Sequence, residues 1–288
     1  MKKTILVTGA NGQLGSEIKY LSQFHNLSFI FTDIDELDVT CIDDVKAFFS
    51  SHKIDYAVNC AAYTAVDKAE EEKELADLVN HRAARNLAII SCEFNIKLIH
   101  ISTDFVFDGN SSIPFTEKDK TNPVSVYGIT KLAGEKAVIK HGKEIMIIRT
   151  SWLYSSYGNN FVKTMIRLSK ERDSLGIVFD QIGTPTYARD LADVIFHIIN
   201  SGNFQSGIYH YSNEGVASRY DFAKAIVEMA GIKCNIYPIE TYQYPTPAKR
   251  PPYSVLNKAK IKSIYKIKIP YWKDSLEKCI NILRQQSI

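Results

Sequence analysis

The stretch Lys3-Thr-Ile-Leu-Val-Thr-Gly-Ala-Asn-Gly-Gln-Leu-Gly15 decides the fold of this 288-residue chain. It begins as a short apolar run typical of a buried strand and continues into a loop with glycine at every third position. Helical periodicity follows, with Leu14, Ile18 and Leu21 along one stripe. Such a loop also serves as an ordinary turn, but its place between a strand and a helix favours dinucleotide binding. The glycines allow the backbone to approach a pyrophosphate, which the helix N-terminus receives.

A second strand, Ser28–Thr32, leads to Asp33, which lies roughly twenty residues beyond Gly15. An acidic residue near this offset accepts the ribose 2′-hydroxyl of NAD, and its charge disfavours a 2′-phosphate. Asp33 therefore favours NADH over NADPH, with a helix-capping or turn aspartate as the alternative interpretation. Asp38 and Val39 are candidates for adenine contacts on weaker grounds.

The segment from Thr103 to Lys131 predicts the chemistry. The apolar run 97–102 leads to Thr103, and Tyr127 and Lys131 follow with Tyr-x-x-x-Lys spacing. On a helix this spacing places both side chains on one face. A phenol has an unperturbed pKa near ~10, and a neighbouring ammonium lowers it. With the Thr103 hydroxyl sharing a carbonyl oxygen, the segment predicts a proton-delivery site for ketone reduction.

A second Tyr-x-x-x-Lys pair, Tyr220 and Lys224, has the same spacing. About one such pair is expected by chance among 16 tyrosines. This pair lies outside the first half of the chain and lacks a strand-end serine or threonine at the right distance upstream. We therefore expect it to have no catalytic role.

Strands and helices alternate through the first half of the chain. Helices are predicted over 42–51, 74–94 and 127–140, and strands over 56–59, 97–102 and 145–149. Apolar strands alternating with helices predict an α/β fold, a Rossmann-like doubly wound parallel sheet. Ligands of such sheets bind at the carboxyl ends of strands. Residues 59–63, 102–104 and 149–152 all fall at those ends, which predicts one shared crevice.

The pattern loosens after residue 155. Helices are predicted over 158–170, 190–199 and 220–230, and the proline-rich segment 242–253 predicts an irregular loop. We expect residues 1–155 to form the dinucleotide-binding domain, with the Tyr127 helix included. Residues 156–288 are expected to form mostly a smaller C-terminal substrate-binding lobe, from which about 177–200 return to the first domain.

Composition limits the class of protein. Apolar residues make up 45% and charged residues 23%, which is ordinary for a globular protein. The net charge is +3 without a block of lysine or arginine, so no nucleic-acid partner is predicted. No uncharged run approaches the ~20 residues of a membrane span. The five cysteines are scattered, which favours reduced thiols in a cytoplasmic protein, and the seven histidines show no metal-ligand spacing.

The chain resembles the extended short-chain dehydrogenases/reductases, and within them the dTDP-4-dehydrorhamnose reductase family, over essentially its whole length. The glycine loop, Thr103, Tyr127 and Lys131 are the generic part of this resemblance. Its more specific part is carried by segments 61–67, 102–109, 149–152, 158–161, 180–186 and 244–251. Related epimerases and dehydratases usually carry a glutamate after the Thr-Asp pair. The phenylalanine Phe105 at that position favours a simple reductase.

The resemblance implies reduction of the C4 ketone of dTDP-4-dehydro-L-rhamnose to dTDP-L-rhamnose, the last step in making that nucleotide sugar. Tyr127 would donate the proton, Lys131 would hold the nicotinamide ribose and lower the Tyr127 pKa, and Thr103 would bind the ketone oxygen. Thr103, Asp104 and Trp152 would bind the sugar, and Arg250 the diphosphate. The cofactor, NADPH or NADH, would be lined by Gly9, Asn11, Gly12, Gln13, Leu14, Asp33, Asp38, Val39, Ala61, Ala62, Tyr63, Tyr127 and Lys131.

Two alternatives keep the same sequence features. A reductase or epimerase-reductase for another nucleotide-linked 4-keto-6-deoxy sugar would share the catalytic residues. A non-catalytic NADP(H)-binding regulatory subunit would be expected to lose Tyr127 or Lys131, and both are present.

One position departs from the family pattern. Some relatives dimerise around a Mg²⁺ ion held by carboxylates, and Glu17 matches one of these ligands. Arg189 places a positive charge where another acidic ligand would be. We therefore predict no metal, and a homodimer is possible without being indicated.

Overall fold

The computed structural model describes residues 2–286. Its strands are β1 (Thr4–Thr8), β2 (Ser28–Thr32), β3 (Tyr56–Asn59), β4 (Lys97–Thr103), β5 (Ile145–Thr150), β6 (Leu153–Tyr154), β7 (Ser174–Val178), β8 (Ile182–Gly183), β9 (Thr186–Tyr187), β10 (Gly207–His210), β11 (Ala217–Ser218) and β12 (Asn235–Ile239). Its α-helices are α1 (Gln13–Ser22), α2 (Ile42–Ser51), α3 (Lys73–Asp77), α4 (Ala83–Glu93), α5 (Val126–His141), α6 (Phe161–Glu171), α7 (Ala188–Ser201), α8 (Arg219–Ala230), α9 (Ala259–Tyr265) and α10 (Trp272–Gln286).

Six parallel strands form the central sheet, in the order β10-β5-β4-β3-β1-β2. The register aligns Val7 of β1 with Val58 of β3, which in turn aligns with Ile99 of β4. Strand order reverses between β1 and β3, and ligands of doubly wound sheets bind outside such a reversal. The predicted Rossmann-like doubly wound sheet is confirmed.

Helices cover both faces of this sheet because its strands are apolar on both sides. One core packs α1 and α7 against β1 and β5, and the other packs α2, α4 and α5 against the opposite face. Strand β10 comes late in the sequence and completes the sheet beside β5. Among residues 2–286, no helix combines the length and the apolar character that crossing a bilayer requires.

A smaller lobe with its own core is formed by α6, α8, α10 and the short strand pairs β6–β9, β8–β11 and β7–β12. Strand β7 ends at Val178 and pairs with β12 in this lobe. The chain therefore rejoins the central sheet later than residue 177, through α7 and then β10.

The helix predicted over 74–94 is interrupted. Helix α3 ends at Asp77, a π-helical turn spans Leu78–Arg82, and α4 follows. The turn brings the Asn80 backbone against α5, where a Cβ added to Gly134 would lie 2.2 Å from the Asn80 carbonyl oxygen. Helical periodicity cannot reveal an extra residue in one turn, which explains the difference. π-Turns within helices occur frequently at functional sites.

Candidate active site

The glycine loop joins β1 to α1 in a shape that only glycine permits. Gly9 has a φ of +64°, and a Cβ there would lie 2.6 Å from the Ala61 nitrogen. A Cβ at Gly15 would lie 2.5 Å from the Gly9 carbonyl oxygen. Gly12 is the N-cap of α1 and has no capping side chain, so the first N–H groups of the helix point outward unpaired by a cap. Such a helix N-terminus has the geometry that favours an anion such as a pyrophosphate.

The other residues of the loop take different positions. The Gln13 side chain accepts a hydrogen bond from Asn160, the N-cap of α6, at 3.1 Å. Leu14 is buried in the core, so only its backbone can face a ligand. The Asn11 backbone N–H donates to the Asp33 carboxylate at 2.9 Å. Two predicted cofactor residues thus meet at the ends of β1 and β2.

The Asp33 carboxylate also accepts the Ile34 N–H at 2.9 Å, so backbone groups orient both of its oxygens. Asp38 accepts the Thr40 N–H and hydroxyl, at 2.9 and 2.7 Å. Val39 is buried, and its carbonyl accepts a hydrogen bond from Asn86. These contacts fix the two segments that follow β2, but they give Asp38 a structural partner within its own turn.

Residues after β3 line the opposite side of the crevice. The Asn59 side chain accepts hydrogen bonds from the Thr8 hydroxyl and the Ala61 N–H, at 2.9 and 3.1 Å. Asn80, in the π-turn, bonds the Tyr63 N–H at 2.9 Å and the Tyr63 carbonyl at 3.1 Å. Ala61, Ala62 and Tyr63 are therefore held between the glycine loop and α5. Sequence reasoning missed Asn80, because nothing in its local pattern signals a π-turn.

Lys131 lies one turn beyond Tyr127 on α5 and is only 2% exposed. Its amine donates to the Ile101 carbonyl at 2.6 Å. Burial lowers the pKa of Lys131 to about 8, and the nearby Glu135 and Cys60 oppose that shift. A lysine with such a pKa is charged at neutral pH and loses its proton in the mildly alkaline range.

The pKa of Tyr127 differs from the sequence-based expectation. Burial raises it to about 12; the Thr103 hydroxyl opposes this rise, and the Asp104 charge adds to it. The Lys131 ammonium, which was expected to lower the Tyr127 pKa, is directed at the Ile101 carbonyl instead. The phenol is therefore a firmly protonated group, held beside Thr103 and edge-on to the Phe105 ring.

Thr103 and Asp104 stand together at the end of β4. The Thr103 hydroxyl donates to Asp104 Oδ1 at 3.0 Å and accepts the Phe105 N–H at 3.2 Å. Asp104 is 1% exposed, and burial raises its pKa to about 6, against the lowering effects of Ser254, Thr103 and Arg219. The geometry thus brings Thr103, Asp104 and Tyr127 into one cluster.

Trp152 follows β5 and has a φ of 46°, a left-handed conformation that a large side chain rarely adopts. The Arg219 guanidinium lies over its indole ring, 3.6 Å from the centroid. Strained backbone in a bulky residue is common at ligand sites. Arg219 comes from the lobe, and sequence reasoning missed it because it belongs to none of the segments that carry the resemblance.

Arg250, predicted to bind a diphosphate, lies in an ion pair. Its guanidinium donates to both oxygens of Asp67, at 3.1 and 2.7 Å, and also to the Ala248 carbonyl. Two-point pairing with Asp67 holds the proline-rich loop against the segment after β3. Burial lowers the pKa of Arg219 to about 10; the Asp104 charge opposes this shift and the Arg250 charge adds to it, so the two cations act on the same region.

A buried charge network lies behind α5. Glu135, 1% exposed, pairs with Arg149 through two hydrogen bonds of 2.9 and 2.7 Å. Ser102 donates to the same carboxylate, and Arg149 also contacts His210 of β10 at 3.4 Å. This network joins α5 to three strands of the sheet. It depends on residues distant in sequence, which explains why spacing alone missed it.

Glu17 of α1 is completely buried, and both of its carboxylate oxygens have partners. The Arg189 Nε donates to one at 2.7 Å, and the Ser155 hydroxyl donates to the other at 2.6 Å. The Arg189 guanidinium also lies 4.3 Å from the Tyr20 ring centroid. Within residues 2–286, no group of three or more His, Cys, Asp or Glu side chains is arranged to hold a metal ion.

The chain is similar to known proteins over nearly its full length. The family model described as the RmlD substrate binding domain matches residues 1–285. A dTDP-4-dehydrorhamnose reductase of Aggregatibacter actinomycetemcomitans is 41% identical over 284 residues, which cover 95% of this chain and 97% of that protein.

Solved structures show the same similarity. The crystal structure of a dTDP-4-dehydrorhamnose reductase from Clostridium acetobutylicum is 44% identical with a TM-score of 0.94, covering 98% of this chain and 99% of that one. The reductase from Bacillus anthracis, solved in complex with NADP, is 39% identical with a TM-score of 0.94, covering 98% and 100%. The glycine loop, α5 and the lobe therefore all lie within the region of similarity.

Proposed function

Because the chain belongs to the RmlD substrate binding domain family, with dTDP-4-dehydrorhamnose reductases among its members, we propose that it reduces the C4 ketone of dTDP-4-dehydro-L-rhamnose. The product is dTDP-L-rhamnose. The observation that carries the proposal is the cluster of Thr103, Asp104 and Tyr127 at the strand ends, with Lys131 one turn further along α5.

The crevice fits a nicotinamide dinucleotide. Gly9 and Gly15 allow the loop to pack closely against the backbone of Ala61 and Ala10, and the α1 N-terminus favours the negative charge of a pyrophosphate. Ala61, Ala62 and Tyr63 would line the other side, and Lys131 would hold the nicotinamide ribose. When bound, this cofactor supplies the hydride that the ketone carbon accepts.

Tyr127 delivers the proton in this mechanism. Its pKa of about 12 keeps the hydroxyl protonated at neutral pH, so it donates to the C4 oxygen as negative charge develops there. Lys131 carries a positive charge below pH about 8, and in this charged form it would donate to the nicotinamide ribose.

The Thr103 hydroxyl has a single proton, and in this structure it donates that proton in a hydrogen bond to Asp104. It orients the ketone by turning that donor to the substrate oxygen. Asp104 is then free to accept a sugar hydroxyl, and the Trp152 indole offers an apolar surface to the pyranose ring. Arg250 lies at the border of the pocket, where its remaining N–H groups would face the diphosphate.

We propose that NADH is used in preference to NADPH. The Asp33 carboxylate is oriented by Asn11 and Ile34 at the end of β2, where it can accept a ribose hydroxyl but would repel a 2′-phosphate. The similar B. anthracis protein was solved with NADP, so the two cofactors must be compared directly. Asp33→Ser should raise kcat/KM for NADPH relative to NADH, whereas the exposed neighbour change Asp35→Ser should leave the ratio unchanged.

We also infer that Glu17 holds no bridging Mg²⁺. Its two oxygens already accept hydrogen bonds from Arg189 and Ser155, and the guanidinium supplies the positive charge. Prolonged treatment with EDTA should therefore leave both the turnover number and the molecular mass in solution unchanged. Loss of either on chelation, with recovery on added Mg²⁺, would contradict this inference.

The function is tested with purified protein, dTDP-4-dehydro-L-rhamnose and either reduced cofactor. The absorbance of the reduced nicotinamide should fall, and NMR should identify dTDP-L-rhamnose as the product. No fall with either cofactor would reject the reductase. Faster reduction of a 4-keto-6-deoxy sugar carrying another nucleotide base would redirect the assignment to that substrate.

A further inference from the structure

Arg219 brings the lobe into contact with the predicted sugar site. It is the first residue of α8, where its N–H donates to the Gln181 carbonyl at 3.2 Å. Ser218 caps this helix and forms a capping box with Asp221. The backbone that carries the guanidinium is therefore anchored, and the side chain extends over the Trp152 indole.

Trp152 is itself confined on another side. A Cβ at Gly183 would lie 2.6 Å from the indole, so the ring packs directly on that backbone. The guanidinium lies close enough to the ring for a cation–π contact, which is strongest with tryptophan. Arg219 and Gly183 together set the orientation of the indole ring, and the Trp152 backbone that carries it is in a left-handed conformation.

Asp104 faces the same region with an unused acceptor. Within residues 2–286, its Oδ2 makes no hydrogen bond of normal geometry although the side chain is buried. Burial raises the Asp104 pKa, the Ser254 and Thr103 hydroxyls and the Arg219 guanidinium oppose that rise, and the Tyr127 phenol is the other titratable group beside it. A buried carboxylate oxygen without a donor is costly, so its position indicates a ligand donor such as a sugar hydroxyl.

We propose that Arg219 is a positioning residue for the sugar: its guanidinium, stacked on the Trp152 indole, holds that ring at the border of the sugar site and presents a positive charge towards the buried Asp104 carboxylate, which accepts a sugar hydroxyl. This inference rests on the proposed reductase function and adds a residue from the lobe to it. A direct bond from Arg219 to the diphosphate is the competing role, because Arg250 is nearby and phosphate also attracts guanidinium.

The first test is the pH dependence of kcat/KM in Arg219→Gln, with Arg219→Lys and Arg167→Gln beside it. Arg219 lowers the Asp104 pKa. Loss of Arg219 should therefore move the acid side of the kcat/KM profile to higher pH. The variant should then lose more activity at about pH 5.5 than at about pH 7.5. Arg219→Lys keeps the charge and should retain the acid side of the profile with a raised KM. Arg167, an exposed partner of Glu171 on α6, should have no effect.

A second measurement does not depend on turnover. Carboxyl-carbon NMR, with Asp104→Asn to assign the signal, should give Asp104 a pKa of about 6 in the unchanged protein and a higher one in Arg219→Gln. An unchanged Asp104 titration overturns the inference even if the reductase is active. An inactive protein in which the titration still shifts overturns only the proposed reaction.

Binding of dTDP alone separates the two roles of Arg219. Calorimetry should show similar affinity for dTDP in Arg219→Gln and the unchanged protein, together with a several-fold weaker affinity for dTDP-L-rhamnose. An equal loss for both ligands would make Arg219 a diphosphate ligand and overturn the positioning role. Unchanged melting temperature would show that the variant is folded, and Arg219→Lys serves if it is not.

Discussion

Two helices carry the same pattern, tyrosine, lysine and glutamate at intervals of four: α5 over 127–135 and α8 over 220–228. In α8 the pattern lies on the surface, and the Lys224 amine is 3.4 Å from the Tyr220 hydroxyl. In α5 the lysine is buried and donates to the Ile101 carbonyl instead. The spacing is identical, but the surroundings differ.

The difference comes from what packs against each helix. The α5 pattern meets the ends of β4 and β5, where Thr103 contacts the phenol and Arg149 pairs with Glu135. The corresponding Glu228 of α8 is exposed. Spacing decides which side chains share a helix face, whereas the neighbouring strands decide whether that face has a reactive environment.

The tyrosines should give the largest contrast between the two helices. Tyr127→Phe should lower kcat by roughly 10²–10⁴-fold, because it removes the proton donor, while cofactor affinity measured by fluorescence stays nearly the same. Tyr220→Phe is the matched control and should keep normal kcat. Near-normal turnover in Tyr127→Phe would remove the basis for treating the α5 pattern as the active one.

The glutamates should differ in stability. Glu135→Gln leaves Arg149 buried without its counter-charge, which should lower the free energy of unfolding by roughly 3–5 kcal/mol. Glu228→Gln, at the exposed equivalent position, should change it by less than about 0.5 kcal/mol. Urea unfolding of the two variants makes the comparison. Equal stabilities would mean that burial does not separate the two patterns.

The lysines should differ in their effect on pH dependence. Burial lowers the Lys131 pKa to about 8, and the charged form is the active one, so kcat/KM should decline as pH rises through about 8. In Lys131→Arg the guanidinium stays charged throughout this pH range. If that variant retains measurable activity, the decline in kcat/KM should move to higher pH. Lys224→Met should leave the profile of the unchanged protein as it is. A decline that stays near pH 8 in Lys131→Arg would assign it to another group.

The local parts of the site could be predicted from the sequence. Glycine spacing between a strand and a helix predicted the loop between β1 and α1, and the strand-end Thr103 with the Tyr127 helix predicted the cluster at β4. The structure has both arrangements, because each depends on a few consecutive residues whose geometry the backbone dictates.

The parts that failed or were missed depend on long-range packing. The Tyr127 pKa follows from burial, which spacing does not reveal, and the Lys131 amine is drawn to a backbone carbonyl. Arg219 reaches the pocket from a different core, and Asn80 acts through a π-turn that periodicity hides. The roles of Asp33, Trp152 and Arg250 towards ligands stay predictions.

The late arrival of β10 has a consequence for how the protein is made. Until residues 207–210 leave the ribosome, β5 has an open edge, and until residues 188–201 emerge the face that α7 covers is exposed. Ile261 and Tyr265 of α9 complete that same core still later. The nascent first half thus presents an unpaired strand edge and bare apolar surface, a state that invites chaperone binding or aggregation until residues 259–265 are in place.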